Sequence, residues 1–331
     1  MSRTKSWILR AVAAAAAIAL SQPAGADQGC ALKQTASLPM HLVGNRVVVD
    51  AQADDSPVSF VIDTGATYSL IGRALAARLN LGVRARGGES YGVTGAATTY
   101  VATVPSLRLG QLVARNQPFF VDGNLGDGQN GGPGGIFGAD FLGMYDFEFD
   151  LAAGKFNLYL HDHCPDKVVY WDNEYFKLPF GTGGGRTPRI NISVSVDGHP
   201  LRGILDTGAY HTAVRLATAR AKLDYDETKG GDDPTVTITG VASTANIVGH
   251  RHRFASLEFG PITLRNPALD VIPMDFGKGG APEIGSHIND MRADQPEIIV
   301  GMDVISKLHL YVDYADSAIY FTLAQPPKAA N

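Results

Sequence analysis

The chain has 331 residues, enough for two domains at roughly 100–200 residues each. Hydrophobic residues make up 45% and charged residues 18%, a globular rather than disordered composition, and 38 glycines with 18 prolines suit a turn-rich β protein. The formal charge of −5 argues against a nucleic-acid or anionic-membrane binder, and two cysteines cannot build a disulfide-dense scaffold or a four-cysteine zinc site.

Arg3, Lys5 and Arg10 precede the apolar run Ala11–Leu20, and the small-residue pattern Ala24-Gly25-Ala26 follows. This is the layout of a secretory signal peptide. It predicts removal of residues 1–26 and export to the periplasm or the medium. A membrane anchor is the competing reading, but ten apolar residues fall short of the about 20 that cross a bilayer. The Ala-Asp-Gln-Gly before Cys30 lacks the pattern that lipidation needs. Cleavage removes three basic and no acidic residues, leaving 25 against 33 and a charge of −8. No later stretch is apolar enough to span a membrane. Export permits a disulfide. A Cys30–Cys164 bridge is the preferred reading over two free buried thiols.

Beyond this segment one unit is written twice. Val47-Val48-Val49-Asp50, a loop and Phe60-Val61-Ile62-Asp63-Thr64-Gly65-Ala66 align with Val194-Ser195-Val196-Asp197, a shorter loop and Gly203-Ile204-Leu205-Asp206-Thr207-Gly208-Ala209. Each Asp-Thr-Gly-Ala sits where a β-prone run meets a turn. Helix-compatible stretches follow at Arg73–Leu79 and Arg215–Leu223. Thr94-Gly95-Ala96 is echoed by Thr239-Gly240-Val241, and Leu107–Gly110 by Leu257–Gly260. Glycine-rich stretches come next, at Gly123–Gly135 and Gly277–Gly280. The first has no Lys-Ser/Thr end to cradle phosphate and reads as a mobile surface insertion. Ile136-Phe137-Gly138-Ala139-Asp140 then matches Ile299-Val300-Gly301-Met302-Asp303, and closing strands are expected at Tyr145–Asp150 and Leu310–Tyr314. The two Asp are 143 residues apart.

His161-Asp162-His163-Cys164 carries metal-ligating residue types at the junction of the halves. No fourth ligand is evident, and the stretch reads as a solvated linker. His250-Arg251-His252-Arg253 alternates like the polar face of a strand. Nothing here calls for a metal or an organic cofactor.

One Asp-Thr-Gly is a weak signal, since Asp and Gly simply mark turns. Two matched copies are stronger. An apolar strand delivers each Asp, Gly lets backbone N–H groups approach its carboxylate, and Thr offers a hydroxyl to the partner copy. If the loops meet about a two-fold axis, the carboxyls cannot both ionise cheaply and must share a proton. One can then take a proton from water while the other hydrogen-bonds a peptide carbonyl. The competing reading is two structural turns that never meet.

These motifs resemble the aspartic-protease superfamily. The Ala after each Gly and the short lobes are closer to retropepsins than to pepsins, and the likeness covers roughly residues 40–160 and 178–323. It implies an all-β, bilobal acid-protease fold of two retropepsin-like barrel lobes related by pseudo-two-fold symmetry. The expected divisions are a signal segment 1–26, a lobe 27–163, a linker 164–177 and a lobe 178–325. Asp63 and Asp206 would be catalytic, supported by Thr64, Gly65, Thr207 and Gly208, with the apolar-apolar-Gly strands behind them. Flap candidates are Tyr91, Thr94, Gly95, Thr239 and Gly240. Tyr91 lies earlier than a pepsin flap tyrosine and is alternatively ordinary strand packing. His211, near the second motif, is either a cation acting on the pair or a surface histidine. The implied function is an exported aspartic endopeptidase acting as a monomer on an extended peptide or protein substrate, with no nucleic-acid partner, no membrane span after signal cleavage and no large prosegment. The alternative is a non-catalytic module on the same fold that binds a peptide or cell-wall component.

Overall fold

The computed structural model describes residues 31–92, 95–128, 132–183, 187–228, 233–239, 246–274 and 295–324. These residues are predominantly strand. The helices among them are short, at Arg73–Arg78, Ala139–Leu142, Leu216–Lys222 and Met302–Ile305. No helix among the described residues is long and apolar enough to cross a membrane.

The first lobe is built on the hairpin Arg46–Ala53 and Ser56–Ile62. Its turn residues Asp54 and Asp55 have φ of 46° and 65°, the left-handed pair that matches strand twist in a two-residue turn. Strand Ser56–Ile62 runs parallel to Gly135–Phe137, which pairs with Leu70–Gly72, then Leu112–Asp122, then Gly95–Leu109. The last returns to the first hairpin through Gln52↔Arg108 and Ala53↔Leu107, closing a six-stranded barrel. Closure leaves no open edge in that ring. Alternate residues Val47, Val49, Ala51 and Ala53 point into its core. There Phe60, Phe119, Phe137 and Phe141 stack in series.

The second lobe repeats this arrangement in a fixed register. Val48 pairs with Val61, and Asn191 with Ile204. Both residues of the second pair lie 143 beyond those of the first. The turn Asp197-Gly198, with φ of 50° and 78°, replaces Asp54-Asp55. Both turns are stapled alike: Ser106 N–H donates to Asp54 Oδ1 at 2.9 Å, and Ser256 N–H to Asp197 Oδ1 at 2.7 Å. The counterpart of Val47–Asp50 is therefore Ile190–Ser193. The alignment with Val194–Asp197 is four residues out of register, because a period-2 strand pattern matches itself after any even slip. No loop of unequal length separates the motifs.

One core contact is exchanged between the lobes. Phe60 sits opposite Gly135, and Gly203 opposite Ile298. A Cβ on Gly135 would overlap the Phe60 ring, so the large and small partners have changed strands while filling the same space.

A second sheet joins the lobes in the order Phe176–Pro179, Ala318–Leu323, Leu308–Asp313, Asp146–Asp150, Lys155–Tyr159 and Gln34–Val43. At its centre Phe147, Glu148 and Phe149 pair with Val312, Tyr311 and Leu310. Glu148 lies opposite its own repeat partner Tyr311, while Phe147 and Phe149 lie opposite each other's partners, so the pseudo-two-fold axis passes through the Glu148–Tyr311 pair. One face buries Phe147, Phe149, Phe156, Leu310, Val312 and Phe321. The other is covered by the chain between the lobes, where Val168 and Trp171 pack on Tyr159, Tyr311 and Tyr320. Trp171 stacks on His309 at 4.1 Å and donates to Thr322 Oγ1.

The solvated-linker reading is thus corrected in part: His161 and Asp162 are exposed, but His163 is not. The His163 side chain is 1% exposed, because the segment covers a sheet face that would otherwise meet water. Cys164 is disulfide-bonded; Cys30 lies outside the described residues. The glycine-rich stretch is corrected in part. Gly134 and Gly135 are buried, Gly72 N–H donates to Gly134 O at 2.8 Å, and Arg78 Nη2 donates to Asp127 O at 2.9 Å. Its described ends are packed backbone, and only Gly allows so close an approach.

The exchanged contact is testable. Gly135→Ala should destabilise the chain by about 1–3 kcal/mol through overpacking, and Phe60→Leu in the same chain should restore part of that loss. Urea midpoints of the two singles and the double give the coupling.

Candidate active site

Strand Ser56–Ile62 ends at Asp63, whose N–H donates to Phe137 O at 3.0 Å; strand His199–Leu205 ends at Asp206, whose N–H donates to Val300 O at 2.9 Å. Each Asp therefore leaves a barrel strand at the same height, anchored to the strand behind. The loops then interlock. Thr64 Oγ1 donates to Leu205 O at 2.7 Å and accepts from Thr207 N–H at 3.1 Å. Thr207 Oγ1 donates to Ile62 O at 2.7 Å and accepts from Thr64 N–H at 3.1 Å. Both threonines are buried, where an unmade hydrogen bond is costly.

This lock brings the two carboxyls together, close enough for each to act on the other's titration. Asp63 Oδ1 accepts from Gly65 and Ala66 N–H at 3.0 and 2.9 Å; Asp206 Oδ1 accepts from Gly208 and Ala209 N–H at 2.8 and 3.1 Å. Each loop glycine faces the carboxyl of the other lobe. A Cβ on Gly65 would overlap the Asp206 carboxyl, and one on Gly208 the Asp63 carboxyl. Alanine at either place would push the pair apart.

The electrostatics separate the two groups. Burial raises the pKa of Asp63, opposed by its backbone N–H bonds, by Asp206 and by the positive charge of Arg46. Burial raises Asp206 well above the ordinary range, and the neighbouring Asp63 charge raises it further. Two carboxyls so close and so buried cannot both ionise cheaply, which favours one shared proton, and Asp206 is the more strongly raised of the two.

Behind the loops the apolar-apolar-Gly strands form a second matched set. Gly138 N–H donates to Ser69 Oγ, which donates to Asp140 Oδ1 at 2.6 Å. Gly301 N–H donates to Thr212 Oγ1, which donates to Asp303 Oδ1 at 2.7 Å. Ala139 N–H and Met302 N–H donate to Ala66 O and Ala209 O, the backs of the two loops. Sequence reasoning quoted Asp140 and Asp303 within their motifs but gave them no role. The signal was there: Ser69 and Thr212 are 143 apart, like the paired motifs.

Arg46 is the larger omission. It follows the turn Gly44-Asn45, donates from Nε to Gly208 O at 2.9 Å and stacks 4.2 Å over the Tyr210 ring. Asn45 Nδ2 donates to Tyr210 O at 2.8 Å. One lobe thus grips the loop of the other beside the pair. Arg189, 143 residues on, occupies the corresponding place in the second lobe, a repeat hidden by the four-residue slip. The charge named beside the pair is that of Arg46, while His211 is exposed. A pocket of about 260 Å³ opens next to Arg46 and Tyr210, lined also by Val43, Val48, Val61 and Leu125. A cavity of about 410 Å³ lined by Arg220, Tyr225 and Glu227 contains no residue of the carboxyl pair.

The flap candidates fall on two hairpins. Tyr91 pairs with Ala96 and Gly92 with Gly95 in the hairpin Arg84–Gly92 and Gly95–Leu109. Thr239 pairs with Asn246 in the hairpin Thr235–Thr239 and Asn246–Arg253, and its Oγ1 bonds Asn246 Oδ1. Thr94 and Gly240 lie outside the described residues.

The sequence profile of a family described as aspartyl protease matches residues 49–141 and 192–304, one match per lobe. The chain belongs to the aspartyl protease family. No curated protein sequence matches it. Both matched stretches of this aspartyl protease contain an Asp-Thr-Gly loop and the glycine strand behind it.

The lock gives a symmetric prediction. Thr64→Val and Thr207→Val should each destabilise the chain by about 1–3 kcal/mol for every cross-lobe partner left unpaired. Denaturant unfolding measures both, and the two losses should be similar.

Proposed function

We propose that the chain is an exported aspartic endopeptidase in which Asp63 and Asp206 activate water against a peptide bond. The observation that carries this reading is the meeting of two buried carboxyls, each against the loop glycine of the other lobe and brought there by one lock. On this mechanism a water lies between the carboxyls and the bound peptide. Ionised Asp63 takes a proton from that water as its oxygen attacks the peptide carbon. Asp206 gives its proton to the carbonyl oxygen, and a neutral gem-diol forms. Asp63 then passes its proton to the amide nitrogen, Asp206 recovers one from a gem-diol hydroxyl, and the C–N bond breaks. The acid and amine leave with one water consumed. No covalent enzyme intermediate forms.

The substrate on this reading is an extended peptide laid between the lobes. The two hairpins serve as flaps, because strand edges can pair with extended backbone. The pocket of Val43, Val48, Val61 and Leu125 takes an apolar side chain, with Arg46 at its rim. One chain supplies both carboxyls, so a monomer suffices. Export is supported by the basic, apolar and small-residue blocks of residues 3–26 and by the bonded state of Cys164.

Purified protein incubated with a denatured protein substrate across pH 3 to 8, with product masses read by mass spectrometry, tests the proposal. Asp63→Asn and Asp206→Asn should each lose about 10²–10⁴-fold in rate, and a statine-type inhibitor should block the wild type. Substrate that binds yet keeps its intact mass would instead support the binding module.

The raised pKa fixes the direction of the pH dependence. Activity should fall as pH rises through the elevated value of the pair, because Asp206 must be protonated. Stability moves the same way. The site's contribution is complete below the ordinary Asp value near 3.9 and is lost as pH rises past the native one. Asp206→Asn should therefore raise the thermal midpoint at pH 7 and leave it little changed near pH 3.

A further inference from the structure

The buried groups left unexplained by this chemistry gather on the far face of the interlobe sheet. Asp146 comes from one lobe, Asp313 from the other, and His163 from the segment strapped across them. All three side chains are 0–1% exposed. His163 Nε2 lies 2.9 Å from Asp146 Oδ2 and 3.4 Å from Asp313 Oδ1. His161 Nε2 lies 3.6 Å from Asp146 Oδ1, with its ring 39% exposed. One ligand atom from each of Asp146, His163 and Asp313 falls within 4.8 Å of the others.

We propose that these residues bind one divalent cation of the zinc type, with His161 as fourth donor. Three observations carry the assignment. First, His163 Nδ1 lies 3.1 Å from Cys164 O. A carbonyl only accepts, so Nδ1 carries the hydrogen and Nε2 is the ring atom facing the two carboxylates. Such an outer bond is the usual way a metal-ligating histidine is oriented. Second, Asp313 Oδ2 is buried with no hydrogen-bond partner among the described residues, and neighbouring Tyr311 Oη is in the same position. Asp146 Oδ1 and Asp313 Oδ1 accept from Tyr314 and Asp316 N–H at 2.7 and 2.8 Å, and a proton on Nε2 serves Asp146 Oδ2, so Asp313 Oδ2 is the acceptor left without a partner. Third, two buried carboxylates beside one imidazolium retain a negative charge, whereas a divalent ion neutralises them.

The geometry is suitable. Zinc bonds of about 2.0–2.1 Å in a tetrahedron separate the donors by about 3.3 Å. The spacings of 2.9 and 3.4 Å from His163 Nε2 bracket that value, and His161, 3.6 Å from the other Asp146 oxygen and outside the three-residue group, is placed to turn in and complete the shell. Mixed imidazole and carboxylate donors suit zinc rather than a hard, all-oxygen ion. Half-exposed His161 opens the site to solvent. The cluster shares no residue with Asp63 and Asp206, so the ion fastens the strap to both lobes and takes no part in hydrolysis.

The test uses the full purified chain, stripped with EDTA and dialysed. Zn²⁺ should bind at one equivalent by elemental analysis after gel filtration. It should raise the thermal midpoint by roughly 5–10 °C at a hundredfold excess over Kd. Co²⁺ in its place should give the visible bands of a four-coordinate ion. His163→Gln and Asp313→Asn should abolish binding, and His161→Ala should weaken it at least about tenfold. The half-exposed His161 ring is dispensable for packing, so that variant decides the matter if a buried one does not fold. Wild-type protein holding under about a tenth of an equivalent, with a midpoint indifferent to Zn²⁺, would overturn the proposal in favour of a protonated His163. So would a His161→Ala chain that binds as tightly as the wild type.

Discussion

Two threonine hydroxyls set the position of everything else in the groove. Each donates to a carbonyl of the opposite lobe and accepts an N–H from the opposite loop. The arrangement is reciprocal, so neither loop can shift without breaking bonds on both sides. It is also buried, so water cannot replace a lost partner. Carboxyl groups that repel each other are thereby held together, and the repulsion appears as a raised pKa rather than as separation. The glycines complete the constraint from the other direction, because any side chain at position 65 or 208 would occupy the place of a carboxyl.

The duplication preserves geometry more faithfully than sequence. Barrel hairpins keep their register across 143 residues, yet the residues that fill the space differ. Phe60 over Gly135 and Ile298 over Gly203 are two solutions to one packing problem. Hydroxyl identity is equally free: Ser69 and Thr212 hold their Asp partners in the same way. What persists is the hydrogen-bond pattern and the total volume, which close packing demands.

The carboxyl pair was legible from the chain because its determinants are local. A strand, an Asp, a Thr and a Gly occupy consecutive positions, and a second copy makes chance a poor explanation. The family likeness and the all-β architecture followed from the same residues. The helices near Arg73 and Leu216 were legible for a similar reason. Long-range features were not. Arg46 lies 162 residues from the carbonyl it grips, and nothing in Asn45-Arg46-Val47 announces a partner. The four-residue slip arose because alternating apolar residues carry no absolute register. The segment around His163 looked like a solvated linker because its polarity is visible in sequence, whereas the sheet face beneath it exists only after folding.

The Glu148–Tyr311 pair has a consequence for how such a molecule can arise. In a dimer of identical lobes, a residue on the symmetry axis must face its own copy. Two glutamates there would be buried against each other with no opposite charge. Here Glu148 alone carries the charge, and accepts bonds from Asn157, Tyr159, Tyr170 and His309. Although burial acts to raise it, those bonds hold its pKa below the ordinary value. Covalent fusion is what frees the two halves to differ at their own centre, so this acid marks a position that a homodimeric ancestor could not have occupied in the same form.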